Sequence, residues 1–242
     1  MFRRILITAL LAGFLGGLGI SVVQEFTTTP IILHAEQYES KGAPGGHKHS
    51  RIDSTSHPLL HLAQAKESHA AEHEAWAPAD GLERTLYSTL ANILTGIGFA
   101  LMLVAGIALS GRDVDGRSGV LWGIAGFAVI NLAPALGLPP EVPGAMAAEL
   151  GARQGWWLAC VVATAAGLWM LIFLHGGVWI ACGLAALALP HLVGAPQPAH
   201  MGGAVPPELA GHFVAASIVT AAIFWCALGW LSGTFWRRFA SK

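Results

Sequence analysis

Charged side chains are scarce in this sequence. The 242-residue chain is 11% charged and 54% hydrophobic, whereas an average soluble domain is about 25% charged. Its 13 basic and 14 acidic residues nearly balance, so no basic excess suggests a nucleic-acid partner. The composition therefore argues against a soluble or nucleic-acid-binding protein and predicts a polytopic membrane protein.

Several motifs of catalysis and redox chemistry are also missing. The three cysteines lie in apolar runs, which is typical of small buried residues and not of a disulfide framework or a C-x-x-C site. The chain has no G-x-x-x-x-G-K-[ST] segment for P-loop ATP hydrolysis and no G-x-S-x-G nucleophile elbow. A haem enzyme would need paired histidines within facing spans, and only His175, His191 and His212 lie near span ends. We therefore predict that the protein is not an enzyme.

Long apolar runs are abundant. The first follows Arg3 and Arg4, and its roughly 19 residues suffice to cross a bilayer. A retained helix is favoured over a cleaved signal peptide, because no clean A-x-A site follows. The run from Trp156 to Leu189 is too long for one crossing, and His175–Gly177 is its only break. The sequence predicts an all-α fold, with 1–242 as a single membrane domain of about six transmembrane helices.

The basic residues outside the longest polar segment favour one side of this predicted topology. With six spans both termini share a side, and the basic residues expected there are Arg3, Arg4, Arg112, Arg117, Arg237, Arg238 and Lys242. Because lysine and arginine are biased toward the cytoplasm, we expect both termini to be cytoplasmic. The polar segment 24–80 then forms one long extracytoplasmic loop between the first two helices.

A short motif recurs in the second half of the chain. The segment LPPEVPG at 138–144 is echoed by VPPELAG at 205–211. The echo suggests repeated two-helix hairpins over 118–173 and 177–236, and related hairpins would bring Glu141 and Glu208 to one outer mouth that concentrates cations. Alternatively, Pro-Pro-Glu is simply a common way to leave a membrane helix, and these carboxylates only face water.

Glycine pairs with small-xxx-small spacing occur in three of the apolar runs. Such pairs permit close helix packing and say little about substrate. They are Gly13/Gly17, Gly119/Gly123 and Gly229/Gly233.

Histidines are concentrated in the polar loop, where the 27 residues from 47 to 73 hold six of the eleven in the chain. Two pairs are spaced i, i+4, which on a helix puts both imidazoles on one face. Imidazole suits cobalt, nickel, copper and zinc. The candidate metal ligands, including two residues just beyond the first span, are His34, Glu36, His47, His49, His57, His61, His69 and His73. Alternatively, the loop is a solvated His-rich tract with incidental metal affinity.

Two amides stand out within the predicted spans, Asn92 and Asn131. An amide in a helix bundle either hydrogen-bonds a neighbouring helix or lines a pathway. Both remain candidate pathway residues, together with Glu141 and Glu208.

Several segments together resemble the CbtA family of membrane subunits of bacterial cobalt transporters. They are MFRRILITALLAGFLGG, HAEQYE, DGLERTLYSTLANILTGIGFALML, WGIAGFAVINLAPALGLPPEVPG and ARQGWW. The resemblance runs from residue 1 to about Trp157 and is weaker beyond it. It implies about five spans, cobalt uptake serving cobalamin biosynthesis, and a small single-span CbtB-like partner with a His-rich end. The dense histidine insert between Ser40 and Ala75 matches no part of the family pattern.

Together these observations predict a multi-pass protein of the bacterial inner membrane with its histidine-rich loop in the periplasm. We expect it to carry a divalent transition metal inward, above all Co²⁺, with Ni²⁺, Zn²⁺ and Cu²⁺ as alternatives, and to need no fixed cofactor. The expected partners are membrane lipid, the metal ion and the CbtB-like subunit, with no nucleic acid. The competing hypothesis is a non-transporting accessory, metal-sensing or scaffold subunit.

Overall fold

The computed structural model describes residues 1–42, 78–79, 81–198 and 202–240. Within these ranges the chain is helical and has no strand beyond one isolated bridge. The helices are α1 (Phe2–Phe26), α2 (Thr28–Gly42), α3 (Leu82–Ser110), α4 (Gly116–Ala135), α5 (Leu150–Phe173), α6 (Gly177–Val193) and α7 (Pro207–Arg238). The prediction of an all-α membrane protein is confirmed.

Five of these helices, α1, α3, α4, α5 and α7, are long and apolar enough to cross a membrane. The chain leaves the helix between Phe173 and Gly177, so the break predicted at His175–Gly177 is confirmed. Helix α6 has 17 residues and is therefore about 26 Å long, slightly short of a hydrocarbon core of about 30 Å. Six crossings remain a prediction that depends on α6.

The ends of the helices meet in two groups. Arg4 at the start of α1 donates a 2.9 Å hydrogen bond from Nε to the carbonyl oxygen of Trp236 near the end of α7, and its guanidinium lies 3.6 Å from the centroid of the Trp236 ring. Arg237 pairs with Asp115 at the start of α4. We call this the arginine end of the bundle. Which end faces the cytoplasm stays a prediction.

The opposite end, here called the proline-rich end, consists of the α4–α5 and α6–α7 connections. These two loops touch through an antiparallel bridge between Ala145 and Gly203. Trp156 near the start of α5 donates a 3.1 Å hydrogen bond from Nε1 to the carbonyl of Pro190 near the end of α6. Helix α6 therefore runs antiparallel to α5 and returns to this end.

Glycines set the closest helix contacts. A Cβ on Gly119 or Gly123 of α4 would overlap backbone of α7, and one on Gly229 or Gly233 would overlap backbone of α4. The small-xxx-small prediction is therefore confirmed for this pair of helices. Helices α1 and α3 approach in the same way, since a Cβ on Gly13 would lie 2.5 Å from the backbone nitrogen of Ile97.

The arrangement of helices bears on the predicted hairpin repeat. Helix α7 packs on α4 and α1, while α6 packs on α5, which in turn contacts the last turns of α4. The core lies between α1, α3 and α7, where Val104 and Leu228 are completely buried. The repeat over 118–173 and 177–236 stays a prediction, because this packing neither requires nor excludes it.

Helix α2 is a feature that the sequence analysis did not predict, since it placed 24–80 in one polar loop. Residues 28–42 are instead helical, separated from α1 only at Thr27. Pro30 lies in the first turn, where the missing N–H has no helical partner to lose. The six histidines from His47 to His73 lie outside the described residues.

Two acidic caps fix where α4 and α5 begin. Asp115 accepts a 2.9 Å hydrogen bond from the backbone nitrogen of Ser118 in a capping box, and this bond holds the pKa of its carboxyl below the ordinary value. Glu149 accepts from the backbone nitrogens of Gly151 and Ala152 at 2.7 Å, which likewise lowers its pKa. Both carboxylates therefore stay ionised at neutral pH.

Candidate functional site

Charged ligands do not assemble into a metal centre in the described part of the chain. No group of three histidine, cysteine, aspartate or glutamate side chains lies close enough there to hold an ion. The predicted ligands His47, His49, His57, His61, His69 and His73 fall outside the described residues. A site among the described residues must therefore be sought in cavities lined by uncharged polar groups.

The structure places His34 and Glu36 on α2 without bringing them together. They are two residues apart on a helix, so their side chains face different directions. His34 is exposed, with its ring 5.5 Å from that of Tyr38. Both carboxylate oxygens of Glu36 accept from Arg84 of α3, one of them at 3.0 Å. A metal at Glu36 would have to displace this ion pair, so the pair more directly serves to tie α2 to α3.

Glu141 and Glu208 both lie at the proline-rich end but in different settings. Glu141 pairs with Arg153 at 2.6 Å and lines a cleft. Glu208 is exposed in the first turn of α7 and lines neither of the two cavities described below.

A cleft of about 360 Å³ opens at the proline-rich end between the end of α4 and the start of α5. Glu141, Arg153 and Gln154 supply charged and polar groups to it, and Asn131 lies at its inner side among prolines and leucines. The cleft thus runs from the loop carboxylate toward one of the two candidate amides.

A second cavity, of about 300 Å³, contains both predicted pathway amides. Asn92 of α3 and Asn131 of α4 line it together, although 38 residues separate them in the sequence. We call it the amide cavity. It lies in the half of the bundle nearer the proline-rich end, and its lining has no charged or histidine side chain; its polar members are Gln24, Thr28, Asn92, Thr95, Asn131, Ser217 and Thr220.

The hydrogen bonds of Asn92 fix the orientation of its amide. The hydroxyl of Ser21 donates to the carbonyl of Gly17 at 2.9 Å, so toward Asn92 it can only accept. Asn92 Nδ2 donates to Ser21 Oγ at 3.0 Å and to Gln24 Oε1 at 2.6 Å. Because both amide protons are thereby used, Asn92 Oδ1 is left as an acceptor.

Two further hydrogen bonds also leave an oxygen with unused lone pairs in the cavity. Thr27 Oγ1 donates to the carbonyl of Val23 at 2.9 Å and therefore accepts from Thr220 Oγ1 at 3.1 Å. Trp225 Nε1, which can only donate, gives its proton to Asn131 Oδ1 at 2.7 Å. Asn92 Oδ1, Asn131 Oδ1 and Thr220 Oγ1 are thus left with unused lone pairs, while the NH2 groups of Gln24 and Asn131 remain donors. The amide cavity therefore offers acceptors from three helices without net charge.

Asn131 sits in an irregular turn of its helix. Residues Ala128–Leu132 form a π-helical turn within α4, a distortion that is frequent at functional sites. Asn131 lines both the cleft and the amide cavity. Its side chain therefore marks the boundary between the two spaces.

Toward the arginine end the amide cavity meets a closed apolar layer. Phe99, Phe224 and Trp225 form mutual ring contacts at the cavity wall. Beyond them Val104 and Leu228 are fully buried and Ile107 is 1% exposed. The cavity is thus closed on this side.

Several residues of the amide cavity were not predicted from the sequence. Gln24 was assigned to the loop, because the first span was expected to end one residue earlier. A signal was present in the spacing of Ser21, Gln24 and Thr28 at i, i+3 and i+7, which predicts one polar helix face. The bond from Trp225 to Asn131 joins α7 to α4 and left no local trace in the sequence.

The comparisons with known proteins identify a family. No curated protein and no solved structure matches the chain. The family model for CbtA, described as a probable cobalt transporter subunit, matches residues 2–237. A transporter subunit is not an enzyme class, and cobalt as the transported ion agrees with the expected cargo. Because the match covers nearly the whole chain, including the second half where the resemblance is weaker, this protein belongs to the CbtA family.

Proposed function

We propose that the protein carries Co²⁺ across the bacterial inner membrane through the amide cavity. One observation supports this most directly: Asn92 and Asn131, separated in sequence, line one uncharged cavity in which Asn92 Oδ1, Asn131 Oδ1 and Thr220 Oγ1 keep unused lone pairs. An acceptor-rich, uncharged lining suits a cation in transit, since a carboxylate or imidazole cage would hold a transition metal more tightly.

The cleft supplies an approach to this cavity. Glu141 and Arg153 sit at its outer part and Asn131 at its inner part. The ion would meet the carboxylate first and exchange the Arg153 partner for the metal, then pass Asn131. The periplasmic histidine segment would act before this step by capturing the ion.

A non-transporting accessory, metal-sensing or scaffold role is the second candidate. The completely buried layer at Val104 and Leu228 favours it, since an ion cannot pass this conformation. Transport requires a second conformation in which the layer opens, and a sensing or scaffold subunit does not.

Cobalt uptake into proteoliposomes distinguishes the two candidates. We expect uptake by the wild type with its partner subunit and at least a tenfold loss for Asn131→Leu, which keeps the volume but removes the oxygen. Because this change also leaves Trp225 Nε1 without its acceptor, Trp225→Phe is the matched control, and it should retain uptake. Gln197→Ala, which removes an exposed amide in the α6–α7 loop, controls for amide loss in general. No uptake with the partner present would leave the accessory role.

The histidine segment needs a separate test. Deletion of residues 41–75 should raise the cobalt concentration needed for half-maximal uptake and leave the maximal rate nearly unchanged, because capture precedes passage. Cobalt capture by imidazole should also weaken in acid, since the ligand must be neutral. Unchanged half-saturation after the deletion would show that the histidines bind metal only incidentally.

The partner and orientation are part of the same proposal. A small single-span subunit would find apolar surface on α6, where Leu184 and Leu189 are more than half exposed. Co-purification of a CbtB-like subunit, and modification of a cysteine placed near residue 60 only from the periplasmic side, would test these points.

A further inference from the structure

We infer that the amide cavity receives the metal with its water shell, as a hexahydrated ion and not as a bare cation. This inference rests on the proposed function and specifies the form of its cargo. It follows from the acceptors left free on three helices, the absence of charge in the lining and the size of the space.

The free acceptors of the cavity match the surface of a hydrated cation. Water bound to a divalent ion turns its lone pairs inward, so the complex presents only O–H donors to its surroundings. Asn92 Oδ1, Thr220 Oγ1 and the second lone pair of Asn131 Oδ1 are the acceptors left in the cavity after the bonds described above. Acceptors from three different helices can therefore bind one donor-covered ligand. The free NH2 groups of Gln24 and Asn131 take no part in this binding.

The absence of charge argues against a dehydrated ion. Removing a divalent cation from water is costly unless charged or strongly coordinating groups replace the shell. The lining has no carboxylate, imidazole or thiolate, so it cannot offset that cost. Neutral oxygens can instead hold the shell through charge-assisted hydrogen bonds.

The volume is sufficient for the complex. Six waters at about 30 Å³ each occupy about 180 Å³, and the cavity holds about 300 Å³. The remaining space leaves room for rotation of the ion.

Hexaamminecobalt(III) provides the test, because it resembles the hydrated ion in shape and donors and does not exchange its ligands. We expect purified full-length protein to bind it by titration calorimetry, and Asn92→Ala to weaken binding about tenfold or more, as for a lost hydrogen bond to a charged ligand. Gln197→Ala should change nothing. The complex should also inhibit cobalt uptake competitively.

The outcomes distinguish the inference of a hydrated ion from the proposal of cobalt transport. If the inert complex fails to bind, or binds equally to Asn92→Ala, the hydrated form is wrong even where cobalt uptake is robust. If both ions bind through Asn92 but no cobalt enters liposomes, the transport proposal fails and the cavity remains a site for hydrated cations.

A separate observation concerns the arginine end, where we infer a binding site for the headgroup of an anionic phospholipid. A cleft of about 390 Å³ lies between the start of α4 and the end of α7. Three arginines and one carboxylate line it, together with an indole and a hydroxyl; these residues are Asp115, Arg117, Trp230, Thr234, Arg237 and Arg238.

The charge in this cleft is positive. Asp115 pairs with Arg237 at 3.6 Å, and the hydrogen bonds of its capping box keep its pKa low. The lining therefore contains three guanidinium groups and one carboxylate. Arg117 lies in the first turn of α4, where the helix dipole disfavours a cation. Helix stability therefore does not explain why this position is an arginine.

The depth of the cleft favours a lipid over a free phosphate ion. Trp230 lies about two turns of α7 from Arg237 and Arg238, or about 11 Å along the axis, and is 51% exposed. A Cβ on Gly116 would lie 2.7 Å from Thr234 Oγ1 and 3.0 Å from Trp230 Nε1, so both donors lie against the start of α4. An anionic phospholipid would fit this arrangement, with its headgroup at the arginines of the rim and its apolar part against the tryptophan below.

Native mass spectrometry of the purified full chain with phosphatidylglycerol, phosphatidylcholine and inorganic phosphate tests this site. We expect a preference for phosphatidylglycerol that Arg117→Gln lowers about fivefold and Arg117→Gln with Arg238→Gln about 30-fold. Arg3→Gln, an exposed arginine at the same end outside the cleft, is the matched control. Equal retention of both lipids, an equal loss in Arg3→Gln, or displacement by inorganic phosphate alone would overturn the inference. If the double variant fails to fold, Arg117→Gln decides.

Discussion

The contact between α4 and α7 gives a direct prediction from geometry. At Gly119 a Cβ would overlap the carbonyl oxygen of Gly229 and lie 3.0 Å from the Cα of Gly233. Because the obstruction is backbone and not a flexible side chain, Gly119→Ala must push the two helices apart. Overpacking of this kind typically costs about 1–3 kcal/mol.

Gly98→Ala is the matched control. Gly98 lies within α3, and a Cβ there meets no atom within 4 Å. Alanine is favoured over glycine in a helix by about 0.8–1 kcal/mol, so this variant should be neutral or more stable. Gly119 is helical as well, so this gain is common to both variants and cancels in their difference. The two variants should therefore differ by the overpacking cost of about 1–3 kcal/mol in the free energy of unfolding, measured in detergent or bilayers by thermal or denaturant unfolding. Equal stability of the two would refute the close α4–α7 contact.

Three further predictions follow from side chains near the helix ends and in the core. Asp115→Asn should lower the melting temperature at neutral pH. The pKa of Asp115 is lowered in the fold, so the wild type should lose this stabilisation as the pH falls from about 4 through the lowered pKa. The variant should not show this acid-dependent loss. A double-mutant cycle of Glu36→Gln and Arg84→Gln should give a coupling energy of at most about 1 kcal/mol, as both side chains are partly exposed; zero coupling would show that the pair does not tie α2 to α3. Leu228→Ala, in the closed apolar layer, should cost about 2–5 kcal/mol in stability and raise passive cobalt leak into liposomes, whereas Leu184→Ala on the exposed side of α6 should do neither.

The sequence predicted the features whose cause is local. The apolar runs marked the long helices, and the single interruption at His175–Gly177 marked the break between α5 and α6. The spacing of Gly119 and Gly123, and of Gly229 and Gly233, indicated close packing because only a small residue lets two backbones meet. It did not indicate that these two pairs pack on each other, which depends on tertiary arrangement.

The site depends more on long-range contacts and was only partly predictable. Asn92 and Asn131 were identified because amides are rare in apolar runs, but their meeting in one cavity required the fold. Glu36 was predicted as a metal ligand from its position near histidines. Its partner Arg84 lies 48 residues further along the chain, so this pairing could not be predicted without the fold. Helix α2 was missed because its composition is polar, although it packs back on α7 and α1.

The packing also indicates where the bundle can open. Within the pairs α1–α3 and α4–α7 the closest contacts join backbone to backbone at glycines, which leaves little freedom to slide. Between the pairs the contacts are made by side chains, such as Leu228 against Gly16 and Phe224 against Phe99. A motion that carries an ion past the apolar layer is therefore easier as a rocking of one pair against the other than as a separation within either pair. Leu228 lies at that interface, and for this reason Leu228→Ala should raise ion leak whereas Leu184→Ala on α6 should not.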